Sequence, residues 1–256
     1  MSKESNNNQD KRRGIQSVET GVRVLEALAS IGEPATLKRV AEQCGMAPSQ
    51  THRYLVSLIE SGMAHQNEAT GRYDLGAGAI KIGLAALGQA DPIREADSEI
   101  SQFVARTGRT VQIAALGPQG PTVIRWHMGR PAVMTSFSVG SVLPLLYSAT
   151  GHVFLTFAPE QELIGVLYHE LADAQMDHSQ VEAIRERVRK DGCSLVHGTM
   201  IPGLRATAFP IFDLQGRAVL TATSLQPDSS VYKKDEEGEE LRAACKRVSE
   251  RLGWVN

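Results

Sequence analysis

Residues 45–62, GMAPSQTHRYLVSLIESG, decide the fold of the first part of the chain. The stretch opens with a glycine turn, and Pro48 follows where a helix tolerates proline best, at its first position. Leu55, Leu58 and Ile59 recur at helical spacing and are expected to face inward, and the final glycine is expected to end the helix. The stretch therefore predicts a tight turn followed by an amphipathic helix with one free polar side.

The segments on either side complete the pattern of a winged helix-turn-helix. An apolar repeat predicts a first helix that Gly32 ends, and Thr36 is placed to cap a second, short helix. After residues 45–62, two short strands at 63–66 and 72–75 are predicted to pair around a turn. The apolar positions expected to face inward on the first helix are Ile15, Val18, Val22, Leu25, Leu28 and Ala29, and on the second they are Leu37, Val40, Ala41 and Cys44.

The start of the third helix carries the side chains that DNA recognition requires. A recognition helix meets base edges and phosphates through polar residues near its N-terminus. The guanidinium of Arg53 can donate two hydrogen bonds to a guanine or a phosphate, and the side-chain amide of Gln50 can make two hydrogen bonds to an adenine. A three-helix interaction module with solvated polar residues is the alternative. The residues predicted to contact DNA are Lys38, Arg39, Ser49, Gln50, Thr51, His52, Arg53 and Arg72.

Composition gives DNA binding no global support. The 256 residues carry a net charge of −2, with +1 on residues 1–90 and −3 on residues 91–256, so the prediction depends on local geometry. The three cysteines are far apart and lack a CxxC pair, which argues against a disulfide framework or a zinc finger. Because no apolar run suggests a signal peptide or a membrane span, we expect a cytoplasmic protein.

The rest of the chain divides into three further segments. Residues 1–14 are polar and are expected to be a disordered basic arm, either a solvated tail or a phosphate contact. Residues 15–76 are the predicted DNA-binding domain, and residues 77–92 are a predicted linker helix. In residues 93–256, strands flanked by helices at both ends indicate an α+β sensor-type domain.

Several stretches together resemble the IclR family of bacterial transcriptional regulators. They are GIQSVETGVRVLEALAS (14–30), TLKRVAEQCGMAPSQTHRYLVSLIESG (36–62), TGRYDLG (70–76), LPLLYSATGHVFLTFAPEQEL (143–163) and IPGLRATAFPIFDLQGRAVLTATSL (201–225). The resemblance implies a winged helix-turn-helix, a linker helix and a GAF-like α/β domain that binds a small effector. It also implies homodimers or homotetramers on a palindromic double-stranded DNA operator.

The resemblance also places an effector pocket on the second domain. Several of its positions are polar in family members and apolar here, which suggests an organic acid with an apolar or aromatic body. The acid is expected to bind backbone N–H groups at a helix start. The pocket residues it implies are Leu143, Ala149, Thr150, Gly151, Val196, Ala206, Thr223 and Leu225.

Two smaller questions stay open in the sequence. Trp126, with Arg125 and His127, could add a ring and a cation to the pocket, or the three could alternate between the faces of a strand. Cys193 and His197 have the spacing of one strand face, but no third catalytic group is apparent. Without an HExxH or GxSxG motif we expect no enzyme, no cofactor and no metal.

His152 stands where the family often has lysine, which suggests pH sensitivity.

Overall fold

The computed structural model of the chain describes residues 14–173, 176–227 and 236–255. The chain separates into two compact units between Gln89 and Ala90. Nearly all of the predicted basic arm, residues 1–13, lies outside the described residues. In the part of the chain that is described, no helix combines the length and the apolar character needed to cross a membrane.

The first unit is a winged helix-turn-helix, as predicted. The two strands pair antiparallel, with Ala64 opposite Leu75 and Gln66 opposite Tyr73. The three helices and the hairpin enclose a core that contains Val24, Val40 and Leu55. The elements are α1 (Gln16–Ile31), α2 (Leu37–Cys44), α3 (Pro48–Glu60), β1 (Ala64–Gln66), β2 (Tyr73–Leu75) and α4 (Ala77–Gln89).

Local sequence explains the turn between α2 and α3. The hydroxyl of Thr36 accepts the N–H of Arg39 at 3.4 Å and caps α2. Gly45 ends α2 with φ of 64°, a conformation that residues with a Cβ rarely adopt. Pro48 then opens α3 at its first turn.

The predicted inner stripe of α1 is wrong except at Leu28, which is buried. Ile15, Val18 and Val22 are exposed, and the other buried positions are Thr20, Val24 and Ala27. This helix has two apolar stripes, each with helical spacing. The spacing alone did not show which stripe packs against α2 and α3. The outer stripe remains an exposed apolar face.

The second unit is a layered α+β fold, also as predicted. Within the described residues it contains an antiparallel five-stranded sheet in the order β4-β3-β7-β6-β5. Helices α5 and α9 pack on one face of the sheet, and α6 packs on the other. The elements are α5 (Pro92–Thr107), β3 (Thr110–Gly117), β4 (Gly120–His127), α6 (Ala149–Phe157), α7 (Glu160–Asp173), α8 (His178–Asp191), β5 (Ser194–His197), β6 (Leu204–Phe212), β7 (Ala218–Pro227) and α9 (Glu236–Arg251).

Strand alternation decides which side chains reach each face of the sheet. On β3, Val111 and Ile113 belong to the core shared with α5 and α9. Gln112 lies between them in sequence and therefore points to the α6 side. Thr223 is its register partner on β7, so the two polar side chains stand side by side on that face.

Candidate functional site

The first candidate site is the exposed side of α3. Ser49, Gln50, His52 and Arg53 are all exposed there, and we refer to these four residues as the reading surface. The opposite side of α3 is buried in the core of the unit through Leu55. A helix that exposes polar side chains in its first turns, and that packs against the rest of its domain through its other side, has the arrangement needed to enter the major groove.

Thr51 does not belong to this surface, although it was predicted to contact DNA. Its side chain is fully buried, and its hydroxyl donates to the carbonyl of Ala47 at 3.1 Å. The residue lies on the inner side of α3, four positions before Leu55. Its role is to fix the start of the helix.

The first turn of α3 leaves one backbone donor for an outside acceptor. Ala47 occupies the N-cap position and makes no side-chain capping bond. Pro48 has no N–H and the N–H of Gln50 donates to the carbonyl of Ala47 at 3.0 Å, so the N–H of Ser49 remains at the positive end of the helix dipole. This end of α3 therefore suits a phosphate oxygen.

The remaining predicted DNA contacts surround the reading surface. Nδ1 of His52 lies 3.4 Å from the hydroxyl of Tyr73 and links α3 to the hairpin. Arg39 pairs with Glu33 at 2.6 Å, and Arg72 donates to the carbonyl of Pro34 at 3.1 Å. Lys38 pairs with Glu42 at 3.9 Å, and both of these side chains are strongly exposed. Exposed ion pairs of this kind contribute little and can exchange for a phosphate.

The second candidate site is a cavity of about 40 Å³ between the sheet and the start of α6, which we call the α6 cavity. Seven of the predicted pocket residues line it: Leu143, Ala149, Thr150, Val196, Ala206, Thr223 and Leu225. Residues that the sequence reasoning missed also line it: Gln112, Phe137, Ser148, Gly198, Thr199, Met200, Ile201 and Leu204. A polar residue inside the apolar run of β3 was the available signal for Gln112.

Three polar side chains meet in the wall of the α6 cavity. Nε2 of Gln112 donates to Oγ1 of Thr150 at 3.3 Å, and that oxygen lies 2.7 Å from Oγ1 of Thr223. The two hydroxyls hold two hydrogens, and their mutual bond uses one in either direction. One hydroxyl hydrogen therefore has no acceptor within this cluster. Among the described residues that line the cavity, none has a charged side chain.

Gly151 was predicted to bind an acid through its backbone, and that prediction is wrong. The Ser148 hydroxyl already accepts its N–H at 2.8 Å, and the same hydroxyl donates to the carbonyl of Pro144 at 2.7 Å. A Cβ at Gly151 would lie 2.2 Å from that carbonyl oxygen, so glycine permits the close approach of the chain. The N–H groups of Ala149 and Thr150 precede this cap and remain the candidate donors.

Arg125, Trp126 and His127 alternate between the two faces of the sheet. Trp126 is the register partner of Gln112 and shares its face, but it does not line the α6 cavity. Arg125 and His127 point toward α5, where they lie 3.5 and 3.1 Å from a carboxylate oxygen of Asp97. Neither can add a cation to the cavity.

His152 lies in α6 behind the cavity wall. Its Nε2 is 2.9 Å from the carbonyl of Leu146, and its Nδ1 is 3.0 Å from the hydroxyl of Ser194. A carbonyl only accepts, so Nε2 carries the hydrogen and Nδ1 accepts from the serine in the neutral ring. Burial lowers the pKa of His152 below its ordinary value, which favours this neutral form.

Cys193 and His197 do not form a nucleophile pair. Sγ of Cys193 is 3.7 Å from Nη2 of Arg242, and His197 is exposed. Burial raises the pKa of the Cys193 thiol, which disfavours the reactive thiolate.

Comparison with known proteins identifies both domains. The IclR helix-turn-helix domain matches residues 17–68, and the C-terminal domain of the bacterial transcriptional regulator IclR matches residues 84–253. The transcriptional repressor AllR of Salmonella typhi is 24% identical over 250 residues, which covers 94% of this chain and 92% of AllR. The transcriptional regulator XynR of Escherichia coli is 25% identical over 248 residues, covering 94% of this chain and 98% of XynR.

Solved structures give the same result. The crystal structure of Pseudomonas aeruginosa HmgR is 36% identical, superposes with a TM-score of 0.84 and covers 94% of this chain and 100% of HmgR. The curated relatives are named as helix-turn-helix transcriptional regulators, which favours a DNA-binding regulator over a module that does not bind DNA. With both domain types matched in order along most of its length, the chain belongs to the IclR family of bacterial transcriptional regulators.

Proposed function

We propose that this regulator reads a palindromic operator with the reading surface of α3 and responds to a small organic acid bound in the α6 cavity. The DNA-binding domain would span residues 15–76, the linker helix 77–92 and the effector domain 93–256, in a cytoplasmic protein. The observation that carries the proposal is the hydrogen-bonded cluster of Gln112, Thr150 and Thr223, which places three neutral polar side chains in the wall of an otherwise apolar cavity.

The chemistry of the α6 cavity favours an effector with one acceptor end and an apolar body. The leftover hydroxyl hydrogen and the first N–H groups of α6 are at the same end of the cavity, around Thr150. Together they suit a carboxylate without requiring a counter-ion. Leu143, Val196 and Leu225 supply apolar walls for the body of such a ligand.

The effector would act on DNA binding by linkage. An acid that binds better to one state of the protein shifts operator affinity by the ratio of its affinities for the two states, and by no more. Tight binding without such a difference would leave transcription unchanged. The sign of the regulation follows from which state binds the operator.

A homodimer or homotetramer completes the proposal, because one winged helix reads only about half of a palindrome. Ile15, Val18 and Val22 form an exposed apolar stripe on α1, and Ile80 and Leu84 are exposed on α4. Such faces are typical of subunit contacts. Light scattering of the wild type should give a multiple of the chain mass. Val18→Glu should reduce it, and Val139→Glu, at another exposed valine, should not.

Thermal unfolding with benzoate, phenylacetate and glyoxylate tests the effector. Stabilisation by the aromatic acids supports the proposal, since a ligand that binds only the folded state raises its stability. Stabilisation by glyoxylate alone would contradict an apolar body. The same acids added to the protein on its own upstream DNA should change the amount of complex.

A further inference from the structure

The reading surface has one apolar neighbour that the polar residues do not explain. Val56 belongs to α3 and keeps 41% of its surface exposed, although Leu55 beside it is fully buried. No DNA contact was expected there from the sequence, because the residue lies beyond the polar first turns of the helix.

Val56 points in the same direction as two residues of the reading surface. Ser49, Arg53 and Val56 are separated by four and three positions, so they share one side of the helix. The buried Thr51 and Leu55 mark the opposite side. Glu60 follows four positions later and is exposed, and its negative charge ends the part of this side that suits DNA.

We propose that Val56 contacts the methyl group of a thymine in the major groove, next to the base pair that Arg53 reads. The C5-methyl of thymine is the apolar group that a base pair presents in that groove. Val56 is about 4.5 Å further along the helix axis than Arg53, which is roughly the step between neighbouring base pairs. The inference rests on the proposed placement of α3 in the groove.

Charge decides between DNA and a protein partner for this side of α3. Arg53 and His52 are exposed beside Val56, and the N-terminus of the helix adds a positive dipole end. Such surroundings fit a polyanion better than an apolar protein surface, which would bury the arginine without a partner.

Uracil substitution tests the contact, because uracil is thymine without the methyl group. Duplexes selected from a random pool by the full-length protein would be remade with uracil at one thymine at a time. We expect one position in each half-site where uracil lowers wild-type affinity about fourfold, the effect of losing one buried methyl. Val56→Ser should lose a similar factor on the thymine duplex and should no longer distinguish uracil at that position.

Two variants keep the test specific. Val56→Thr retains one methyl and should keep part of the discrimination, whereas Val139→Ala, at an exposed valine of the second unit, should behave as wild type. Uracil sensitivity that persists in Val56→Ser, or is absent from the wild type, would overturn the inference. An unchanged affinity of Arg53→Ala on the same duplexes would instead count against the placement of α3.

Discussion

The hydroxyl oxygens of Thr150 on α6 and Thr223 on β7 lie 2.7 Å apart, and both side chains are buried. This hydrogen bond joins the start of a helix to the middle of the sheet at the wall of the α6 cavity. Gln112 completes the cluster from β3, so three elements converge on the end of the cavity where we place the effector's acid group.

Replacing Thr223 by valine should weaken effector binding. The change keeps the shape of the side chain and removes the hydroxyl that, when Thr150 donates to Thr223, supplies the hydrogen for the ligand. Loss of a hydrogen bond to a charged group costs about 1.5–3 kcal/mol, or roughly tenfold to hundredfold in Kd. Titration calorimetry with an aromatic acid that stabilises the wild type measures the effect.

Thr221→Val is the matched control, because Thr221 lies two residues earlier on the same strand and the same face. It does not line the α6 cavity, so its replacement should leave the Kd unchanged. Equal losses in both variants would show a general disturbance of β7 and would contradict the role of Thr223.

Thr221→Val should also make the protein more stable. The hydroxyl of Thr221 is fully buried and has no hydrogen-bond partner within the described part of the chain. Its register partner on β6 is Pro210, which has no N–H to donate. Removing an unsatisfied hydroxyl should gain about 1 kcal/mol, a rise of about 2–4 °C in Tm. A lower Tm in calorimetry would mean that the hydroxyl is satisfied in solution.

His152 should make stability depend on pH. Burial lowers its pKa in the folded state, and an unfolded chain binds the proton at the ordinary pKa of about 6.5. The contribution of the neutral ring is therefore present above that pH and is lost as the pH falls through the folded pKa, by at most about 1.4 kcal/mol per pH unit. Urea unfolding between pH 5 and 8 measures the slope.

His152→Gln separates this effect from packing. A glutamine amide can donate to Leu146 and accept from Ser194, as the neutral ring does, but it does not titrate. We expect the variant to lose pH dependence relative to wild type, while His169→Gln at an exposed histidine keeps it. A slope unchanged by His152→Gln would assign the pH dependence to other groups.

Regular patterns in the sequence predicted the fold, and the family resemblance predicted much of the α6 cavity. In residues 93–256 the predicted arrangement of strands flanked by helices at both ends is the one that the structure has. The inner side of α1 was not predictable, because Val18 and Val24 belong to two apolar stripes with the same period. Tertiary contacts decide such cases.

The loop after β5, which lines the α6 cavity, shows another limit of prediction from the sequence. Thr199, Met200 and Ile201 follow β5 without any repeat, so their position depends on where the two strands bring them. Gly151 was misread for a related reason: its neighbours suggested an anion site, whereas its use is the close approach to Pro144. Thr51 was predicted to contact DNA because it lies among the polar residues at the start of α3, although it is close to the buried stripe, and its side chain is fully buried.

Arg53→Ala should weaken operator binding by about 1–3 kcal/mol if the guanidinium contacts a base edge. Arg53→Lys should recover the charge but not the fork that binds guanine, so it should rescue binding only in part. A shift assay at fixed salt measures both, with Arg189→Ala on α8 as a control that removes an exposed charge elsewhere. A base contact also predicts that Arg53→Ala relaxes the sequence preference at one position. A uniform loss over all sequences, with a salt slope smaller by about one, would make Arg53 a phosphate contact instead.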